Sequence, residues 1–362
     1  MNNNRRQFIK TSAAVGAAAA LLPTWAVPRA LAQDAKAAPE PVIAGKGKAK
    51  RLVILSLQGA PSHLDTFDPK ENAAVKGEFK AIPTKVDGMQ FAEHLPMLAG
   101  LAGDLCVVRS MFSKEGNHDR ARYLTHTGHA PNPTVKHPTL GSIIAKELGK
   151  EDFELPHFVA IGGSPGDGGY LGPTFSALQV RDPEKGLENL DYRTGMTDER
   201  LKRRLKLRED VDKEFRKERN ADIPDAQKAM YEKAKRMMDS KKVKAFDLSL
   251  EKPEVRDAYG RNKFGQGVLM ARRLLDEGVS CVEVTQNGWD THDNNFTRVK
   301  TLCDALDPAF AQLIKDLKAR KMFDDTVILC FGEFGRTPKI SDRSGRDHYP
   351  QCWSLVAAGG PF

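Results

Sequence analysis

TVILCFGEFGRTPKISDRSGRDHYP, residues 326–350, decides the fold. Thr326 to Phe331 is a short, apolar, partly β-branched run, the pattern of a strand buried inside a parallel sheet. It ends at Gly332, and Glu333 follows with Gly335 close behind, so the backbone can turn tightly there and approach a ligand. Ligands of open α/β sheets sit beyond the carboxyl ends of the strands, which is where this reading puts Glu333. The loop then carries Arg336, Lys339, Arg346, Asp347 and His348. A carboxylate, an imidazole and several cations at one strand end suit a divalent metal ion with an anionic substrate. A solvated charged loop, with Glu333 capping a following helix, is the structural alternative.

Upstream, Phe310 to Leu317 predicts the helix leading into this strand, and Val279 to Thr285 predicts another strand. That strand runs into GWDTHDNNF, residues 288–296, where Asp290 and His292 place an oxygen and a nitrogen ligand on one loop. The alternative has Asp290 capping a helix with His292 bonded to it. Phe264 to Glu277 predicts a helix stopped by Gly278. Downstream, Trp353 to Ala358 predicts one more buried strand, and the last residues, to Phe362, open a loop, as in a truncated chain with ligands still to come.

The first half repeats the alternation. Arg51 to Leu57 predicts the first strand, followed by a loop with His63, Asp65 and Asp68. Asp68 precedes Pro69 and reads as a turn former, which leaves Asp65 as the better ligand candidate. A helix is expected over Phe91–Leu101, a strand over Leu105–Val108, a helix over Leu140–Leu148 and a strand over Phe158–Ile161. Between them, residues 116–129 gather His118, His126 and His129 with Arg120 and Arg122. With Asp119 as a helix cap, His118 would stand at the helix mouth, where amides and dipole favour an anion. Arg122, one turn on, offers a planar fork for sulfate or phosphate oxygens. The glycine-rich segment 162–169 lacks the ending of a phosphate-binding loop. Residues 182–262 are rich in Lys, Arg, Glu and Asp and predict a charged helical insertion with a solvated face.

The amino terminus is an address. Asn4 to Lys10 (NRRQFIK) is a twin-arginine pattern, followed by an alanine-rich apolar stretch and an A-x-A site, Ala30-Leu31-Ala32. Residues 1–32 thus read as a cleaved Tat signal, with an uncleaved anchor as the alternative, and residues 33–50 as a flexible lead-in to a domain over 51–362. No other run is long enough to span a bilayer. The formal charge of +8 falls to +4 once Arg5, Arg6, Lys10 and Arg29 are removed, with no concentrated basic stripe for a nucleic acid. Five scattered cysteines without CxxC spacing read as buried free thiols.

The motifs GWDTHDNNF, GEFGRTP and GRDHYP together resemble a family of Tat-exported bacterial proteins of unknown function. That family is sulfatase-like, within the alkaline phosphatase superfamily. The resemblance implies an α/β fold with a doubly wound, mostly parallel sheet. It further implies a divalent metal (zinc, calcium or similar) held by Asp290, His292, Glu333 and His348, with Asp65 standing in for an aspartate usual after the first strand. Phe334 falls where the superfamily has a histidine ligand. Arg122 to Gly128 is similar to the tail of the sulfatase signature, which puts His118 at the nucleophile position as a catalytic residue with Arg122. Arg336 and Arg346 are then candidates for the substrate anion. The expected function is an exported metal-dependent hydrolase of sulfate or phosphate esters, on a small molecule or polysaccharide. The alternatives are a non-catalytic exported protein binding anionic, sulfated ligands and a structural envelope protein. The implied partner during export is the Tat translocase, with the periplasm or the medium as destination. Replacing Arg5 and Arg6 together by Lys should leave the precursor in the cytoplasm, as fractionation and immunoblotting will show; unchanged export would refute the twin-arginine reading.

Overall fold

Leu52 to Leu57 are all buried, as expected of a strand covered on both faces. In the computed structural model, which describes residues 49–188, 190, 195–218 and 223–360, this strand lies at the middle of a seven-stranded sheet. The signal, most of the lead-in and the last two residues lie outside the described residues. The strands are β1 (Arg51–Gln58), β2 (Leu105–Met111), β3 (Phe158–Ile161), β4 (Leu178–Val180), β5 (Cys281–Asn287), β6 (Thr326–Phe331) and β7 (Trp353–Ala358). Their order is β2-β7-β6-β1-β5-β3-β4. All neighbours pair in parallel except β7, which is antiparallel to both β6 and β2. The sheet is therefore α/β and mostly parallel.

The principal helices are α1 (His118–Thr127), α2 (Leu140–Leu148), α3 (Asp198–Glu218), α4 (Ile223–Asp239), α5 (Lys263–Asp276) and α6 (Asn295–Ala319). Strand alternation divides β1 between two cores. Val53, Leu55 and Leu57 join the buried residues of α5 and α6 on one face. Leu52 and Ile54 face the other side, with Phe158 and Ala145 of α2. On that second side α1 is pinned by a buried pair, His126 Nε2 lying 3.1 Å from Glu283 Oε1 of β5.

Three expectations need correction. Phe91 does not open a helix: Gln90–Ala92 pairs with Ala81–Pro83 as a small antiparallel ribbon, and the helix is confined to Pro96–Ala99. Pro96 starts that helix because it has no N–H to lose, and the carboxylate of Asp307 caps it through Met97 N at 2.9 Å and Leu98 N at 2.8 Å. The helix expected over Phe310–Leu317 is the end of the 25-residue α6, which continues through Pro308. Its apolar face, with Val299, Cys303 and Leu306 before the proline and Phe310, Leu313 and Ile314 after it, is wholly buried, and that packing outweighs the lost hydrogen bond. Cys281, Cys303 and Cys330 are buried as expected, but Cys106 is exposed because β2 is the outermost strand.

β1, β5 and β6 deliver their loops to one pole of the sheet. Gly59 ends β1 at φ +110°, and a Cβ there would stand 2.3 Å from the amide nitrogen of Asp290, so the loops after β1 and β5 are in backbone contact. Gly59→Ala should therefore cost more than about 1 kcal/mol and lower Tm by at least about 2 °C. Thermal unfolding followed by circular dichroism tests this, an unchanged Tm counting against the close approach.

Candidate metal centre

Four segments meet at that pole. Asp290 and His292 come from the loop after β5. Glu333 follows β6. His348 stands in a two-residue ribbon, His348–Tyr349 paired with Gly335–Arg336. His118 is the first residue of α1, whose cap is Asn117, not Asp119: Asn117 Oδ1 accepts from Arg120 N at 3.2 Å.

Each of three imidazoles is held through Nδ1. His118 Nδ1 lies 2.6 Å from Glu333 Oε1, His292 Nδ1 lies 2.7 Å from Asp347 Oδ1, and His348 Nδ1 lies 2.7 Å from the carbonyl of Gly116. Acceptors at Nδ1 fix the tautomer, so the proton sits on Nδ1 and the lone pair on Nε2. The three Nε2 atoms then converge on Asp290. His118 Nε2 is 3.4 Å from Asp290 Oδ2, and His292 and His348 Nε2 are 3.0 and 3.3 Å from Oδ1. His292 Nε2 and His348 Nε2 are themselves 3.0 Å apart. Two lone pairs at that distance repel unless a cation or a proton lies between them. His118 Nε2 is buried with no hydrogen-bond partner. The three histidine side chains are 28–35 % exposed, although Nε2 of His118 is itself covered.

The electrostatics keep the carboxylate charged. Burial alone would raise the pKa of Asp290, but the Arg336 hydrogen bond and charge, with His118 and His292 adding to them, bring it down to about 2. His118 is shifted upward, mainly by its hydrogen bond to Glu333. His348 is shifted downward by burial, which favours the neutral, ligating form. Phe334 closes the floor, its ring centroid 4.9 Å from that of His118 and 4.8 Å from that of His348.

A family model matches residues 49–361, described as protein of unknown function (DUF1501). The chain belongs to that family. A twin-arginine signal model matches residues 2–21, so the protein is exported by the Tat route to the periplasm or beyond. Among the described residues no helix is long and apolar enough to cross a membrane. No curated protein matches the chain. Among solved structures, the lipoteichoic acid synthase LtaP from Listeria monocytogenes is 11% identical with a TM-score of 0.44, covering 90% of this chain and 68% of its own. The periplasmic domain of EcEptC from Escherichia coli, in complex with Zn, is 11% identical with a TM-score of 0.38, covering 87% of this chain and 74% of its own. An alkaline phosphatase superfamily protein from Vibrio parahaemolyticus is 11% identical with a TM-score of 0.37, covering 89% and 65%. At that distance no residue's role transfers from one chain to another.

In this family member several expected ligands have other work. Both oxygens of Glu333 are occupied, by the amides of Gly59 at 3.1 Å and Ala60 at 3.2 Å and by His118, so Glu333 orients an imidazole. Asp65 is fully buried and faces Arg346, with contacts of 2.7 and 3.1 Å, and also accepts from Asn295 Nδ2 at 2.9 Å. It belongs to an internal ion pair. A guanidinium has five N–H donors, and those of Arg346 go to Asp65 and to the carbonyls of Thr337, Pro338 and Val75. Those of Arg336 go to the carbonyls of Gly59, Ala60 and Arg346, to Asp290 and to His292. Arg346 has no donor left for a substrate anion, and Arg336 keeps only the N–H that faces His292. Arg122 pairs with Asp119 at 2.8 Å on the surface of α1.

Two roles escaped the sequence reading. Asp347 holds His292, and its position beside His348 in the same motif was the available signal. Glu283 is fully buried in β5, and a lone glutamate within an apolar strand sequence was its signal. Removing one partner of a buried ion pair strands the other, at a cost of about 3–5 kcal/mol. Asp65→Ala should lose about that much in urea unfolding, whereas a ligand-type Asp65 would lose little in metal-free protein.

Proposed function

We propose that the chain is an exported metal-dependent hydrolase of sulfate or phosphate esters, with His118, His292, His348 and Asp290 holding one divalent ion. The observation that carries the metal reading is the grouping of His118, His348 and Asp290, whose ligand atoms lie within 4.8 Å of one another, with His292 Nε2 3.0 Å from both Asp290 and His348. The unpartnered Nε2 of His118 and the close approach of two other Nε2 atoms fit a cation among them. Three nitrogens and one oxygen suit zinc or a similar transition ion, and not calcium, which takes six to eight oxygens.

When bound, such an ion acts as a Lewis acid and lowers the pKa of water to about 7. The protein's own residues hold the donors in place. Glu333, Asp347 and the Gly116 carbonyl fix the three rings, and such outer partners tune metal affinity. Arg336 aims the Asp290 carboxylate and keeps it ionised. His118 stands here as a ligand, and no serine, threonine or cysteine replaces it at the helix mouth. Direct transfer of the ester group to water is the consistent chemistry, without a formylglycine-type covalent step. The ester class rests on the motif resemblance and the Tat address. The second reading is an exported protein that binds anionic, sulfated ligands without turnover.

Elemental analysis of the mature protein after metal-replete expression should find about one transition ion per chain. Asp290→Ala and His118→Ala should lose it while keeping the far-ultraviolet spectrum. Hydrolysis of aryl sulfate or aryl phosphate should disappear in both variants. Metal without turnover would move the assignment to the binding protein, and protein without metal would overturn both the centre and the enzyme.

A further inference from the structure

A second cavity lies at the opposite pole of the sheet. It has a volume of about 500 Å³ and sits between α2 and α4, bordered by His157 at the amino end of β3. Four cations line it, Lys146, Lys150, Lys233 and Arg236, against a single carboxylate, Glu151. Arg236 donates to the backbone carbonyl of Glu151 at 3.0 Å and has no carboxylate partner among the described residues. Phe153 and Phe175 supply apolar wall, so the volume and the mixed lining match those of organic-ligand sites.

Lys233 is the deciding residue. Its side chain is half-buried, yet its one hydrogen bond goes to the carbonyl of Thr174 at 3.1 Å, and it has no carboxylate partner among the described residues. An ammonium taken partly out of water without a counter-charge is destabilising. Burial, helped by the charge of Arg236, accordingly pulls its pKa below the ordinary lysine value. Lys233 and Thr174 also border a neighbouring pocket of about 180 Å³. Its walls include Pro156, Leu178, Met230 and Met237. A cationic chamber thus adjoins an apolar one, with the unpaired ammonium at their junction.

We propose that this double pocket binds an amphipathic organic oxyanion, its sulfate, phosphate or carboxylate head between Lys233 and Arg236 and its apolar body against Met230 and Met237. The site is separate from the metal centre, which lies at the carboxyl ends of the strands.

Isothermal titration of the mature protein with naphthalene-1-sulfonate tests this, since that probe has no hydrolysable ester. The double variant Lys233→Met, Arg236→Met should bind it at least about tenfold more weakly, a loss of about 1.4 kcal/mol. Inorganic sulfate and 1-naphthol, each with half of the recognised chemistry, should bind more weakly than the probe. Asp290→Ala should bind it as the wild type does. Without ligand, Lys233→Met should be at least as stable as the wild type, because a partly buried charge has gone; the probe should raise Tm in the wild type and not in the double variant. Equal binding by the double variant, loss of binding in Asp290→Ala, sulfate binding as tightly as the probe, or a lowered Tm for Lys233→Met would each overturn the proposal.

Discussion

Two guanidinium groups are buried at the carboxyl pole of the sheet, and the local structure follows from the need to satisfy them. Arg336 and Arg346 are both fully buried, and neither can shed its proton in a protein. Every donor must therefore find an acceptor, and the acceptors come from loops far apart in sequence. Arg336 gathers Gly59, Ala60, Asp290 and the carbonyl of Arg346. Arg346 gathers Asp65, Val75, Thr337 and Pro338. The loops after β1, β5 and β6 are tied together before any ligand is considered.

That tie turns three strand ends into one constellation. The backbone amides of Gly59 and Ala60 grip Glu333, Glu333 grips His118, and Arg336 grips Asp290. Each donor toward the centre has a partner behind it. Such backing limits rotation of the rings and defines which nitrogen is free, which a shell of unsupported surface histidines could not do. The buried His126–Glu283 pair adds a remote restraint, because it fixes on the sheet the helix whose first residue is His118. The opposite pole is organised differently, around the Lys233 ammonium between two chambers, which has no carboxylate partner among the described residues.

Six of the seven strands were legible as short, mostly apolar runs, as in RLVILSL and TVILCF, whereas Leu178–Val180 (LQV) is too short to stand out. The errors fell where tertiary contact overrides local preference. Phe91 stands beside the helix-like LPMLAGL, yet it pairs with Ile82 in a local antiparallel ribbon. Pro308 is a local helix breaker, and only the apolar face packed in the core shows why α6 runs through it.

The sequence by itself determined the export address, the alternation that makes a mostly parallel α/β sheet, and the membership of Asp290, His292 and His348 in strand-end loops. These are properties of periodicity, short motifs and strand ends, all local along the chain. Only the tertiary structure decided which charged residue serves which. Asp65 and Arg346 are 281 positions apart, yet satisfy each other in the interior, and Glu333 is 215 positions from the imidazole it orients. Whether a carboxylate faces a metal, a guanidinium or an imidazole depends on what lies within about 3 Å of its oxygens. Sequence spacing does not encode that distance once the partners come from different loops.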